Sequence, residues 1–171
     1  NFGCYLVSLC NGLNQFGHEY TPRTLNELFR DKNLWIGEFK NYIDVNRLGS
    51  VLPDIFTSFK QIEPWNDMAT LNWYLSRDYV VLGKVDARGI GGSGTHFVHI
   101  TDTQGQDAII NDPWFGDTIP VAQRYNKWGN ILGLRIFKVI PKLSTSNPIM
   151  TEDLNKVLDH YHVKTADELI S

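Results

Sequence analysis

Cysteine is scarce in this chain of 171 residues: Cys4 and Cys10 are the whole supply. Six residues apart in a segment of helical pattern, they are turned roughly 240° from one another. A disulfide between them is geometrically disfavoured, which leaves Cys4 open to being a free, reactive thiol and gives no firm reading of redox compartment. No apolar run approaches the ~18 residues of a membrane span, so no membrane partner is expected. No basic run or stripe is present either. The 16 Lys and Arg are outnumbered by 19 Asp and Glu, for a formal net charge of −3, which disfavours a nucleic-acid partner. Repeats and low-complexity segments are missing. So is the basic n-region and apolar h-region of a signal peptide. The opening Asn1-Phe2-Gly3-Cys4, without Met, reads as a fragment or processed product of a larger protein or assembly. With 42% hydrophobic and 20% charged residues, disorder, collagen and coiled coil are excluded as descriptions of the whole. The length suits one domain with a core of its own.

What is there changes period part-way along. Residues 4–16 are apolar nearly all round and end at Gly17, which predicts a buried helix. Thr21-Pro22 is an N-cap followed by Pro at the first helical position, and Leu25, Leu28 and Phe29 give residues 22–31 one apolar face. Residues 38–60 read as helical-looking pieces interrupted by Gly49 and Pro53. Asn66 or Asp67 caps a helix through Ser76, with Met68, Leu71 and Leu75 inward. From Tyr79 on, alternation predicts strands at 79–86, 95–102, 107–112 and 130–140. Helices followed by antiparallel strands predict an α+β fold. Residues 141–148 have linker composition, and Thr151 and Thr165 are N-cap candidates for short helices in a polar tail. The expected division is a domain over 1–141 and a linker with a short helical C-terminal tail over 142–171, the tail dispensable for any site upstream.

Three residues suggest chemistry in combination. Cys4 follows a glycine at the start of the first helix, where the positive end of the helix dipole stabilises a thiolate, the nucleophilic form. On its own, a small buried hydrophobe is the commoner role for a cysteine, and Cys10, inside the same helix, reads as core. His96 opens a strand after Gly92-Ser93-Gly94-Thr95 and is the candidate general base. His99 falls on the opposite strand face, so the two rings do not form a metal pair, and no third ligand has recognisable spacing. No metal and no organic cofactor are expected. His160 and His162 read as solvated. Asp112, in Asn111-Asp112-Pro113-Trp114, ends the partner strand; alone it is an ordinary Asp-Pro turn, and with His96 it is the candidate orienting carboxylate. Asn111 is the alternate orienter, since a one-residue shift swaps strand faces. The glycine-rich stretch from Gly89 to Gly94 precedes a strand rather than a helix. That disfavours a phosphate loop and suits a hinge or substrate-lining loop.

Gly3-Cys4 with Ser8-Leu9, Phe16-Gly17 and Thr21-Pro22 with Leu25-Asn26 and Leu28 resembles the opening of the papain-like, bacteriocin-processing (double-glycine) type of cysteine peptidase. The nearer similarity is to the branch found in phage lysins and tail proteins. Gly94-Thr95-His96-Phe97-Val98 and Ile110-Asn111-Asp112-Pro113-Trp114-Phe115-Gly116 resemble its His and Asp motifs. The resemblance spans about residues 1–140. It implies a papain-like fold with the Cys-bearing helix packed on an antiparallel sheet, Cys4 as nucleophile, His96 as general base and Asp112 as orienting acid. The family also uses a glutamine upstream of the Cys as an oxyanion donor. The three residues before Cys4 hold none, so either that residue left with an N-terminal segment or the Cys4 backbone N–H serves in a hole built differently. The implied activity is peptide-bond hydrolysis. The expected setting is a phage-associated peptidoglycan endopeptidase, extracellular or carried on a virion, that acts on cross-bridge or stem peptides. The alternatives are a leader-peptide processing peptidase, an amidase cutting murein between sugar and peptide, and a catalytically silent peptide-binding module.

Overall fold

The computed structural model describes residues 2–65, 67–125 and 131–142. The expected caps Thr151 and Thr165, His160, His162 and the alternative cap Asn66 lie outside the described residues, as does all of the tail beyond Lys142.

Helix α1 spans Phe2–Gln15 and buries Leu6, Leu9, Cys10 and Leu13. A glycine inside a helix costs about 1 kcal/mol against alanine. Gly12 has a packing reason: a Cβ there would lie 2.1 Å from a Val80 methyl, so only glycine lets α1 approach the sheet this closely. Helix α2, Pro22–Asp31, starts with the capping arrangement its sequence predicts. The Thr21 side chain accepts from the Thr24 backbone N–H, and the Thr24 hydroxyl accepts from that of Thr21. Strands β1 (Trp35–Ile36) and β2 (Tyr42–Ile43) pair as a small hairpin, a tongue with Phe39 exposed at its tip.

Residues 38–60 depart from the helical expectation. One turn of 3-10 helix and the four-residue helix α3 (Leu48–Val51) are followed by strand β3, Phe56–Ile62. Phe56, Phe59 and Ile62 recur every third residue, which imitates a helix face. A register shift between Phe56 and Ser58 breaks the alternation that would have revealed a strand.

Helix α4, Met68–Leu75, is capped by Asp67, whose side chain accepts from Ala69 N–H. Strands β4 (Tyr79–Asp86), β5 (Thr95–Gln104) and β6 (Asp107–Asp112) follow, then the short β7 (Asp117–Pro120), helix α5 (Val121–Tyr125) and β8 (Ile131–Val139). Six strands form one antiparallel sheet in the order β3-β8-β4-β5-β6-β7. The molecule is thus α+β, with the four strands read from alternation at its centre and β3 and β7 added at its edges. One core packs α1, α2 and α3 against Val80, Leu82 and Phe137. A second, on the other face, gathers Met68, Leu71, Val121 and Tyr125 over Val81, Val98, Ile110 and Ile136. Among the described residues, no helix is long and apolar enough to cross a membrane.

One irregularity in the pairing positions the site. β5 meets β4 along Thr95–Ile100, but it meets β6 only from His99 onward. The backbone of residues 95–98 therefore has a strand on one side and none on the other. Helix α1 occupies the vacant side: Ser8 Oγ donates to Phe97 O at 3.1 Å, and the Tyr5 ring meets the Phe97 ring edge-on at 4.7 Å.

Candidate active site

Because α1 lies along that edge, its first turn meets the start of β5. Cys4 is buried at 6% exposure and interacts with the His96 ring, which is fully buried. Strand alternation puts Asp112, at the end of β6, on the His96 face. His96 Nε2 lies 2.9 Å from Asp112 Oδ1. The structure therefore brings together the three residues singled out from the sequence.

The Asp112 carboxylate is 1% exposed and is met by four donors: His96 Nε2 on Oδ1, the Trp114 backbone N–H on Oδ1 at 3.1 Å, Arg124 on Oδ2 at 2.9 Å, and the Tyr125 hydroxyl on Oδ2 at 2.8 Å. Burial alone would raise its pKa. The bonds from His96, Arg124, Tyr125 and Trp114 outweigh burial and hold the carboxyl well below the usual range. An ionised carboxylate can only accept, so Nε2 of His96 carries a proton. Nδ1, buried and not otherwise engaged, is left to exchange a proton with the thiol.

The thiol and the imidazole shift each other. Burial pushes the Cys4 pKa up, but hydrogen bonding to His96 and to the Phe97 and Tyr5 backbone, with charge attraction to His96, brings it below an ordinary thiol's. Burial pushes His96 down, and Asp112 and Cys4 together bring it above the usual value. A thiol lowered and an imidazole raised by each other form a coupled pair that favours thiolate and imidazolium.

Asn111 does not share this role. It points to the other face, where its side-chain nitrogen lies 3.5 Å from His99 Nδ1. His99 is buried there against α1 and takes no part in the Cys4 cluster. Cys10 is also a free thiol. It bonds the Tyr20 carbonyl at 3.2 Å, and burial raises its pKa, the opposite direction to Cys4. Among the described residues, no three His, Cys, Asp or Glu side chains are gathered as metal ligands.

Three further residues complete the site. The Trp114 indole stacks on the His96 ring, centroids 4.2 Å apart and 19° from parallel, and shields the imidazole from water. A Cβ on Gly92 would lie 2.9 Å from that indole, so the glycine-rich loop packs against the site through a residue with no side chain. Arg124 ties Asp112 to Asp117 and lies over the Phe115 ring at 3.8 Å. Arg124 and Tyr125 were not anticipated. Their one signal is the i, i+4 pair Val121 and Tyr125, both buried, which marks a single helical turn and nothing about its neighbour Asp112.

A scan against protein-family models finds no match for this chain, and a search of curated proteins finds none either.

Proposed function

We propose that this protein is a cysteine peptidase that hydrolyses a peptide bond through Cys4, His96 and Asp112. The observation that carries the reading is the continuous buried chain from the Cys4 thiol through His96 to a carboxylate kept ionised by four donors. An inert structural cysteine has no use for such an arrangement. The helix bearing the thiol and the antiparallel sheet bearing the imidazole and carboxylate support a papain-like fold.

In this mechanism the Cys4 thiolate attacks the scissile carbonyl carbon, and the C=O electron pair moves to oxygen. The first turn of α1 directs backbone N–H groups, that of Cys4 among them, toward that oxyanion. His96 passes its Nδ1 proton to the departing amine as the C–N bond breaks, leaving a thioester. Water, losing a proton to His96, then attacks the thioester and releases the acid and the thiolate. Asp112 stays ionised throughout and holds the Nε2–H.

The resemblance to phage lysin and tail domains supplies the substrate class we infer: peptidoglycan cross-bridge or stem peptides, met outside the cell or from a virion. The test has two parts. Iodoacetamide should label Cys4 at pH values well below an ordinary thiol's ~8.5, and Cys10 only under denaturing conditions. Cross-linked murein fragments and a glycine-rich peptide should be cleaved by the protein and not by Cys4→Ala. A Cys4 that titrates like a free thiol, with no cleavage of either substrate, refutes the reading.

A further inference from the structure

Beside the reactive pair lies a cavity of about 500 Å³, lined among others by Tyr5, Trp35, Asn41, Thr95, Phe97 and Arg135. It adjoins the site closely in the chain. Tyr5 follows Cys4, Thr95 and Phe97 flank His96, and the backbone of Tyr5 and of Phe97 hydrogen-bonds the Cys4 thiol. Among the described residues that line it, Arg135 carries the charge. The Arg135 guanidinium sits over the Phe97 ring at 5.6 Å, and its charge reaches the Tyr5 hydroxyl. Arg135 and Lys84 share a single carboxylate: Glu63 lies 2.9 Å from Arg135 and 2.6 Å from Lys84. Two cations against one anion leave a surplus positive charge, and of the two cations Arg135 is the one that lines the cavity.

We propose that this cavity selects the substrate: it takes a peptide segment carrying a free carboxylate near the scissile bond, with the carboxylate on Arg135. This rests on the peptidase reading and gives it a specificity, with Arg135 as the determining residue. Two substrate chemistries present such a carboxylate: an acidic side chain in an ordinary peptide, and an α-carboxyl left free when glutamate is linked through its side chain. Both satisfy the same guanidinium, whose planar fork suits a carboxylate.

The experiment uses the peptides Ala-Ala-Glu-Gly-Gly, its Gln counterpart, and its γ-linked glutamyl counterpart. Cleavage is followed with the native protein and binding with Cys4→Ala. One or both carboxylate peptides should be cleaved and bound about tenfold better than the Gln peptide, and which of the two is preferred identifies the source. Arg135→Gln should erase the preference through KM with little change in kcat, and Arg135→Lys should restore part of it. Glu63→Gln, which frees both cations, should sharpen the preference, and it serves as the readout if Arg135→Gln fails to fold. Cleavage of the Gln peptide as efficient as that of both carboxylate peptides overturns the proposal and leaves the peptidase reading intact. Preferential binding of a carboxylate peptide by Cys4→Ala, with no cleavage of any of the three peptides or of murein fragments by the native protein, refutes the peptidase and keeps the recognition. Equal binding of all three peptides overturns the recognition.

Discussion

His99 is buried with little to compensate it, and it makes the fold sensitive to acid in a calculable way. It is 1% exposed, with Nε2 unpartnered and Nδ1 only 3.5 Å from an Asn111 nitrogen. Burial pushes its pKa down to about 4. Unfolding returns it to ~6.5. Between these values the unfolded chain binds the proton and the native one does not, so stability falls as pH drops from 6.5 toward 4. The gap corresponds to about 3 kcal/mol in all, of which about 2.5 kcal/mol is lost by pH 4.5. His96 titrates the other way: its raised pKa adds stability below ~6.5 that is lost as pH rises through the native value. The measurement must therefore isolate His99. The variant His99→Leu does so, because it keeps an apolar-compatible shape and removes the titration. Urea unfolding of both proteins at pH 7.5 and 4.5 should show the native protein losing about 2.5 kcal/mol more than the variant over that interval. Parallel losses in the two proteins would refute the argument that His99 is buried uncharged.

Cys4→Ala should abolish hydrolysis with the fold retained. His96→Ala should cost nearly as much, because such residues act as a unit, and Asp112→Ala should cost less; Cys10→Ala should leave activity largely intact and shift stability by no more than ~1–2 kcal/mol. Steady-state rates on murein fragments and urea midpoints check that order, and an essential Cys10 beside a silent Cys4 would reverse the assignment. Tyr125→Phe removes one bond to a buried carboxylate and should cost about 1.5–3 kcal/mol at pH 7. It should also raise the Asp112 pKa, so that the stability Asp112 contributes, lost as pH falls below ~3.9, is smaller and is exhausted at a higher pH, visible in unfolding curves taken below pH 4. Gly12→Ala, although a better helix former, should destabilise by about 1–3 kcal/mol because its methyl would collide with Val80; a stabilised variant by thermal unfolding would show that α1 can lift off the sheet at little cost.

The parts of this molecule legible from sequence are those where one local signal dominates. Thr21-Pro22 marked a helix start because a cap and a fixed φ act on the nearest turn, and both are present in the Thr21 and Thr24 bonds. Strand β6 was legible because it carries its own alternation, and β4 and β5 because each opens on a short run of β-branched and apolar residues. β3 was not, because its apolar spacing of three is set by a register shift against β8, a partner about 80 positions away in the chain. The site divides in the same way. Cys4, His96 and Asp112 announce themselves by residue type at element ends. Arg124 and Tyr125 act on Asp112 only because β7 turns the chain back along β6, and nothing within the five residues of α5 encodes that return.

The thiol faces His96 and not His99, although the two histidines are three residues apart on one strand. Alternation alone says they differ and does not say which one wins. The choice follows from where β6 stops pairing. From His99 onward the edge of β5 is filled by β6, with Asn111 directly opposite His99. Before His99 that edge is vacant, and Ser8 and Tyr5 bring α1 into it. His96 is thus the histidine beside the helix start, and Asp112, one residue past Asn111, is the carboxylate on its face. A shift of β6 by one residue along β5 would put Asn111 on that face instead and remove the charge that keeps His96 protonated at Nε2. The pairing register, fixed by the apolar residues Ala108 and Ile110 turning into the core, therefore determines the protonation state of the site.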